Sequence, residues 1–299
     1  MFFIPTKQNY KNMLRLKDLT LVESREALSC IPAGKVLINT INAHSYNTAQ
    51  KDALFAKALS KGDYLIPDGA SIVKACRWIK AKSQPKERIA GWDLFVYEMN
   101  KVNEECRQEN EECRMKNEEL KKQRSAIVVK ADEGCCDINS CNNNSSFNPH
   151  SSFKKKVMFL GSSEEVLAKI RQEASYVYHN IEVVTYSPPY KAEFSDEDNR
   201  AMVKAINDAN PDLLWIGMTA PKQEKWTYEH WDELDIHCHV GTIGAVFDFF
   251  AGTVKRAPLW WQRHSLEWLY RLLSEPRRMW RRYLIGNALF LWNIMKEKF

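Results

Sequence analysis

Polar residues stand where two short apolar runs of this chain end. Thr40 and Asn42 close the first run, and Asp68 and Gly69 follow the second. Gly69 allows a sharp turn and the close approach of a ligand, and the carboxylate of Asp68 can take a proton from a hydroxyl group. The same aspartate can instead cap the helix that the sequence predicts from Ala70, and the local residues alone favour the cap.

A third polar loop, Ala220-Pro221-Lys222-Gln223-Glu224, follows a later apolar run. Pro221 suits the first turn of a helix, whose free N–H groups and dipole attract anions. Gln223 offers a donor and an acceptor to a nucleobase or a sugar, Lys222 can reach a phosphate, and Glu224 lies in the same turn. A capped helix without a ligand explains these residues as well.

Arg88 and Asp248 are charged residues close to glycines. The guanidinium group of Arg88 suits a diphosphate bidentately, although an ion pair with Asp93 also explains it. Gly241 and Gly244 flank a predicted strand-to-helix turn where backbone can approach a nucleotide, and Asp248 suits a ribose contact or a helix cap. No Gly-x-Gly-x-x-Gly or Walker-type run is present, which argues against hydride transfer from a dinucleotide and phosphoryl transfer from ATP.

These residues need elements that bring strand ends together. Apolar runs alternate with helical patterns, which predicts parallel βαβ units. We predict strands at 36–41, 64–66, 157–161, 181–185, 212–217 and 237–241, and helices at 46–59, from 70, at 164–173 and at 194–209. The predicted fold class is α/β, with a Rossmann-like, mostly parallel sheet that has helices on both faces. Its strand ends form the edge where such folds bind ligands.

Charge is distributed unevenly along the chain. Its 299 residues can hold one large domain or two small ones, and the 44% hydrophobic content is ordinary. Residues 255–299 contain ten Lys and Arg against three Glu, a net +7 where the whole chain has +5, and five of the ten tryptophans. This mixture suits an anionic membrane surface or a nucleic acid, and arginines paired with acidic faces of the protein are the plainer explanation. No apolar run reaches the roughly 18 to 20 residues that cross a bilayer.

Residues 101–153 interrupt the alternation of strands and helices. The first half is charged all round and can extend the preceding helix, whereas the Asn- and Ser-rich second half predicts a flexible segment. Five of the eight cysteines lie here without CxxC spacing, so we predict surface thiols and no metal. Scattered cysteines and the lack of a signal pattern after Met1 indicate the cytoplasm.

Several short motifs together resemble the WecG/TagA/CpsF family of bacterial glycosyltransferases. They are Thr40-x-Asn42, Asp68-Gly69, Arg88-x-x-Gly91-x-Asp93-Leu94, Gly217 with Ala220-Pro221-Lys222-Gln223-Glu224, Gly241-Thr242-Ile243-Gly244, Arg256-Ala257-Pro258, Glu267-Trp268-Leu269-Tyr270-Arg271-Leu272 and Glu275-Pro276-Arg277-Arg278. The resemblance runs from about residue 38 to residue 283, apart from the insertion at 101–153. Ser71 departs from it, because the family usually has a second glycine there, and its hydroxyl is available to a ligand.

The resemblance implies an inverting transferase that moves N-acetylmannosamine, its uronic acid or a hexose such as glucose. The donor is a UDP-sugar, and the acceptor is an undecaprenyl-diphosphate-linked saccharide in the synthesis of a cell-surface polysaccharide. Asp68 is then the catalytic base, and Arg88 neutralises the diphosphate. The expected substrate-binding residues are Thr40, Asn42, Gly69, Ser71, Lys222, Gln223, Glu224, Gly241, Gly244, Asp248, Arg256, Arg271, Arg277 and Arg278. No metal or other cofactor is expected.

The resemblance also implies a division of the chain at residue 254. Residues 1–254 are the expected α/β core, and residues 255–299 are a basic, Trp-rich helical appendage whose apolar end, with Phe290, Leu291 and Trp292, enters an anionic membrane surface. The implied location is the inner face of the bacterial cytoplasmic membrane, with no nucleic acid partner and with a homo-oligomer left open. The alternative is a non-catalytic module for a membrane surface or a nucleic acid, which leaves Asp68 and Gln223 unexplained.

Overall fold

Six parallel strands form one sheet in the computed structural model, which describes residues 14–131, 153–264 and 266–299 and omits the side chains of residues 123–131 and of Arg278. The strands are β1 (Val36–Ile41), β2 (Tyr64–Pro67), β3 (Lys155–Gly161), β4 (Ile181–Tyr186), β5 (Leu213–Gly217) and β6 (His239–Thr242). Their spatial order is β2-β1-β6-β5-β3-β4. This confirms the predicted parallel α/β fold, and each predicted strand is present within two residues of its expected bounds.

Helices cover the sheet and continue to the C-terminus. They are α1 (Ala43–Ala49), α2 (Ala53–Lys61), α3 (Ala70–Ile79), α4 (Gly91–Ala131), α5 (Glu164–Val177), α6 (Asp196–Ala209), α7 (Lys222–Glu229), α8 (Gly244–Phe250), α9 (Leu259–Arg263), α10 (Glu267–Ser274), α11 (Pro276–Trp280) and α12 (Gly286–Lys298). A π-helical turn, Arg281–Ile285, joins the last two, and short 3₁₀ turns lie at Leu16–Asp18, Glu26–Cys30 and Trp231–Glu233.

The single helix predicted at residues 46–59 is wrong, because two helices occupy this stretch. Asn42 caps the first, through N–H groups of His44 and Ser45 that donate to its side chain at 3.0 and 3.1 Å. Asp52 caps the second by accepting the N–H of Phe55 at 3.0 Å. An aspartate that accepts a backbone N–H starts a new helix, so the chain bends between the two caps.

Alternate strand residues pack on opposite faces of the sheet. In β3, Val157 and Phe159 belong to a core shared with α4, α5 and α8, whereas Met158 and Leu160 belong to one shared with α6 and α7. Parallel strands that are buried on both faces are typically continuous apolar runs in the sequence. Because all six strands are parallel, their carboxyl ends lie at one edge of the sheet, which we call the carboxyl edge.

Helix α4 confirms that the charged residues after 101 extend the preceding helix, but part of this stretch belongs to the core. Cys106 is fully buried, so the prediction of surface thiols is wrong for this residue, whereas Cys113 is exposed. Asn110 exchanges hydrogen bonds with the backbone of Phe153 at 2.9 and 3.1 Å. The predicted flexible half, with Cys135, Cys136 and Cys141, lies outside the described residues.

The C-terminal segment, residues 255–299, folds back on the rest of the chain. Phe290 and Ile294 of α12 are buried in a core with Tyr46, and the rings of Tyr46 and Phe290 meet edge to face at 5.4 Å. The prediction that Phe290 enters a membrane is therefore wrong, although Leu291 and Trp292 are exposed. Within the described ranges, no helix combines the length and the apolar character that crossing a bilayer requires.

Candidate active site

Asp68 lies at the carboxyl edge, immediately after β2. Its backbone N–H donates to the carbonyl of Ile41 at 2.8 Å, which fixes it beside the end of β1. A Cβ atom on Gly69 would lie 3.6 Å from Cβ of Asn42 and 3.5 Å from Oγ of Ser71, so these predicted site residues are neighbours. Thr40, in register with Ile66, is half-buried one residue before the end of β1.

Asp68 is half-buried, and its surroundings raise the pKa of its carboxyl group above the usual range. Burial is the main cause, and the negative charge of Glu267 acts in the same direction. Arg88, Arg271 and Arg282 act in the opposite direction. The outcome is a carboxylate that binds a proton more readily than an exposed aspartate does, within a strongly positive environment.

Arg88 is fixed by the loop that leads into α4 and by the C-terminal segment. The N–H of Ile89 donates to the carbonyl of Pro67 at 3.1 Å, which holds this loop against the end of β2. The guanidinium Nη1 of Arg88 lies 2.5 Å from Oε2 of Glu267, and Nε of Arg256 lies 3.3 Å from Oε1 of the same carboxylate. Two arginines that sequence analysis assigned to substrate therefore meet on one acidic residue that it did not single out.

Aromatic rings hold the other faces of two of these arginines. The guanidinium carbon of Arg256 lies 5.4 Å from the ring centre of Trp92, and that of Arg271 lies 4.8 Å from the ring centre of Phe249. A ring face attracts a cation and limits its movement. Arg256 and Arg271 are half-buried, whereas Arg277 is exposed, and the side chain of Arg278 lies outside the description.

Gln223 and Glu224 are buried in the first turn of α7, where sequence analysis placed them. The Oε1 of Gln223 accepts the N–H of Met218 at 3.1 Å, and its Nε2 donates to Oε1 of Glu224 at 2.9 Å. Burial raises the pKa of Glu224 to about 7, and its Oε2 has no hydrogen-bond partner among the described residues. Both ends of the Gln223 amide thus bind protein groups and shape the loop.

The side chain of Lys222 contacts the loop between β4 and α6. Its Nζ donates to the carbonyl of Lys191 at 2.6 Å and lies 3.4 Å from the ring centre of Phe194. The structure therefore does not bring Lys222 together with the arginines of the site.

The two predicted glycines serve close packing. A Cβ atom on Gly241 would lie 2.2 Å from the ring of Trp215, and one on Gly244 would lie 2.3 Å from the carbonyl oxygen of Met218. Neither position has room for a side chain, so the backbone of β6 packs directly on a ring of β5, and the start of α8 packs on the backbone of the loop after β5. Asp248 lies farther along α8 and is half-buried.

A small pocket opens between the start of α1 and the loop after β5. It is lined by Asn42, His44, Ser45, Thr48, Phe55, Ala220, Pro221 and Arg282. His44 is exposed as a whole, but desolvation of its ring and the charge of Arg282 lower its pKa to about 4, so the ring is neutral at pH 7. The pocket adds Arg282 to the site, a residue that sequence analysis did not select.

The structure brings four predicted residues together at the strand ends: Asn42, Asp68, Gly69 and Ser71. The charges of Arg88, Arg271, Arg282 and Glu267 act on Asp68, and Arg256 joins this group through its ion pair with Glu267. A signal for Glu267 was present, because it opens one of the motifs on which the family resemblance depends. The arrangement can accept a proton at Asp68 and can neutralise an anion at the arginines.

Comparison with known proteins agrees with these features. The model of the glycosyl transferase WecG/TagA/CpsF family matches residues 12–109 and 145–299, which is most of the chain. The match omits residues 110–144, which begin where α4 makes its hydrogen bonds to Phe153.

Three relatives share one activity name, N-acetylglucosaminyldiphosphoundecaprenol N-acetyl-beta-D-mannosaminyltransferase. The Bacillus subtilis (strain 168) protein is 27% identical over 88% of this chain and 80% of its own length. The protein from Bacillus spizizenii is 28% identical over 83% of this chain and 74% of its own length. The protein from Staphylococcus aureus (strain MW2) is 26% identical over 88% of this chain and 81% of its own length.

Proposed function

This chain is a glycosyltransferase of the WecG/TagA/CpsF family, and we propose that it transfers N-acetylmannosamine from its UDP derivative to undecaprenyl-diphosphate-linked N-acetylglucosamine. The names of the three relatives support this sugar and this acceptor. The uronic acid of N-acetylmannosamine and glucose are the other donors that the family resemblance implies. The product belongs to the synthesis of a bacterial cell-surface polysaccharide.

The position of Asp68 carries the proposal for the chemistry. Its carboxylate takes the proton of the acceptor hydroxyl, whose oxygen then attacks the anomeric carbon of the donor. The bond from that carbon to the diphosphate breaks in the same displacement, UDP leaves, and the configuration inverts. A positioned base contributes a rate factor of about 10² to 10⁴. The raised pKa of Asp68 suits this role, because a stronger base takes a proton more readily.

Arginines supply the charge that the departing UDP requires. Arg88, Arg256 and Arg271 are half-buried around Asp68, and each guanidinium group remains positive at any relevant pH. Charges fixed before the reaction stabilise a developing anion without the cost of reorganising water. We assign Asn42, Gly69, Ser71 and Thr40 to the sugar and nucleotide groups at the strand ends.

A lipid-linked acceptor requires an active site that lies next to a membrane surface, and the C-terminal segment supports such an attachment. Exposed apolar side chains and arginines share the C-terminal segment: Trp260, Leu273, Trp280, Leu284, Ile285, Leu291 and Trp292 with Arg263, Arg277 and Arg281. Tryptophans at headgroup depth and arginines on lipid phosphates attach a protein to one leaflet. We therefore place the enzyme on the inner face of the cytoplasmic membrane.

A donor screen tests the proposed function. Purified protein is incubated with an undecaprenyl-diphosphate-linked N-acetylglucosamine in anionic vesicles and with one of three donors: UDP-N-acetylmannosamine, its uronic acid or UDP-glucose. The mass of the lipid product is then measured by mass spectrometry. We expect one N-acetylhexosamine to be added. A product that carries glucose or the uronic acid would show that the donor sugar differs from the proposed N-acetylmannosamine. No product from any donor, with vesicle binding intact, would favour a non-catalytic membrane module.

Asp68→Asn is the matched test of the base. The substitution keeps size but removes the proton acceptor, so turnover should fall by about 10² to 10⁴ while UDP affinity, measured by calorimetry, stays within a few-fold of the parent. Asp232→Asn, at an exposed aspartate of the 3₁₀ turn after α7, is the control and should retain parental turnover. Parental turnover in Asp68→Asn would remove this residue from the reaction.

A further inference from the structure

Glu267 connects the C-terminal segment to the distant loop that precedes α4. It opens α10 in the C-terminal segment and pairs with Arg88, 179 residues earlier, and with Arg256, 11 residues earlier. The three side chains are only 17 to 22% exposed. An ion pair largely withdrawn from water is held more firmly than a surface pair, because fewer water molecules compete for its hydrogen bonds.

The carboxylate of Glu267 uses one nitrogen of each arginine. It engages Nη1 of Arg88 and Nε of Arg256, and a guanidinium group carries five N–H donors in a fixed plane. The remaining donors of both groups are therefore oriented but still able to bind a diphosphate. Trp92 completes the support of Arg256 from the opposite side.

Asp68 and Glu267 compete for Arg88. The ion pair of Arg88 goes to Glu267, and Asp68 influences Arg88 only through its longer-range charge. A direct Arg88–Asp68 pair would make Asp68 a much weaker base, since a paired carboxylate gives up its partner on accepting a proton. The other charges that act here are Arg271 and Arg282 on Asp68, and Asp93 on Arg88.

We propose that Glu267 is a positioning residue of the transfer reaction, which orients Arg88 and Arg256 toward the donor diphosphate and keeps Arg88 from pairing with Asp68. The inference rests on the proposed function for the identity of the donor. Glu267 acts on the reaction through these two arginines.

The pH dependence of turnover distinguishes this role from a structural one. In Glu267→Gln, the negative charge of Glu267 is lost and Arg88 is free to pair with Asp68, so the acidic limb of the kcat profile should move to lower pH and the plateau should fall. UDP should bind more weakly than in the parent, because Arg88 and Arg256 lose the carboxylate that orients them toward the diphosphate. Glu267→Asp keeps the charge and should retain a limb nearer that of the parent. The control Glu173→Gln removes an exposed negative charge from α5 and should change nothing.

A second measurement does not depend on turnover. The carboxyl carbon of Asp68 is followed by ¹³C NMR through a pH titration, with its signal assigned by loss in Asp68→Asn. We expect its pKa to fall in Glu267→Gln. Equal titration of the Asp68 carboxyl group in the parent and in Glu267→Gln would overturn the inference. A lower melting temperature and weaker UDP binding without any shift of the acidic limb of the kcat profile would overturn it as well. A parent that titrates as expected but transfers no sugar would instead overturn the proposed function alone.

Discussion

Glu224 is a buried carboxyl group whose protonation state changes near neutral pH. Its pKa is raised from 4.5 to about 7 by burial, so its contribution to stability is fully present below pH 4.5 and is lost as the pH rises through about 7. The glutamine of Glu224→Gln does not titrate, so the free energy of unfolding of the variant relative to that of the parent should depend on pH. This relative stability should be greater at about pH 8.5 than at about pH 5, by up to about 3 kcal/mol. Urea unfolding of both proteins at the two pH values measures this change.

Glu229→Gln is the matched control for Glu224→Gln, because Glu229 is exposed on the same helix. Its difference from the parent should be the same at both pH values. If the difference between Glu224→Gln and the parent is also independent of pH, the buried carboxyl group does not ionise in this range.

At the residue scale, sequence reasoning found the groups that lie near strand ends. Asp68 and Asn42 follow apolar runs, and parallel strands bring such positions to one edge, so their proximity could be predicted. Glu267 and Arg282 could not be found in this way. They reach Asp68 only because the C-terminal segment folds back over the sheet, and periodicity carries no information about that contact.

At the element scale, α4 combines a part that packs on the sheet with a part that extends from it. Its contacts with the sheet come from residues up to Asn110: Asn103 accepts the N–H of Asn180 at 3.1 Å, and Glu109 pairs with Lys155 at 2.9 Å. Removing residues 115–150 with a short linker should therefore leave the melting temperature and turnover near parental values. The closure entropy of a shortened connection changes by only about 0.6 kcal/mol per doubling of length.

A longer deletion tests where the core ends. Removing residues 103–152 also removes buried Cys106 and leaves backbone groups near Asn180 without partners, at a cost of about 1 to 3 kcal/mol for each buried group. This protein should melt at a clearly lower temperature by calorimetry. Equal melting of the two deletions would show that the whole of 103–152 is an insertion, as the sequence predicts.

Strands were predictable here because each is a short apolar run bounded by turn residues. The break between α1 and α2 was not, since Ala49, Ala53 and Ala56 keep helical spacing across it. Asp52 gave the only local sign, and a capping aspartate is a weaker signal than continuous periodicity. Helix ends depend on single side-chain hydrogen bonds, which a pattern of apolar residues does not contain.

At the scale of the whole molecule, α12 packs one face against the core and exposes its other face. Trp292→Ser should weaken sedimentation with anionic vesicles and leave the melting temperature unchanged, because the Trp292 ring is exposed. Phe290→Ala should lower the free energy of unfolding by about 3 to 5 kcal/mol, because its ring is buried against Tyr46.

The two substitutions act as controls for each other, since they are neighbours on one helix. Folded Phe290→Ala should still bind vesicles, and Trp292→Ser should unfold as the parent does. Parental vesicle binding in Trp292→Ser would remove this ring from the attachment surface. The docking of α12 itself was not predictable, because its partners in α1 lie more than half the chain away.

Residues that meet in the folded protein leave the ribosome at very different times. Asn47 of α1 donates to the carbonyl of Gly286 at the start of α12, and 239 residues separate them. At about 5 to 20 residues per second, synthesis takes about 10 to 50 s to pass from one to the other. During that interval the apolar surface around Tyr46 lacks its covering helix, so it is the surface that a chaperone meets on the nascent chain.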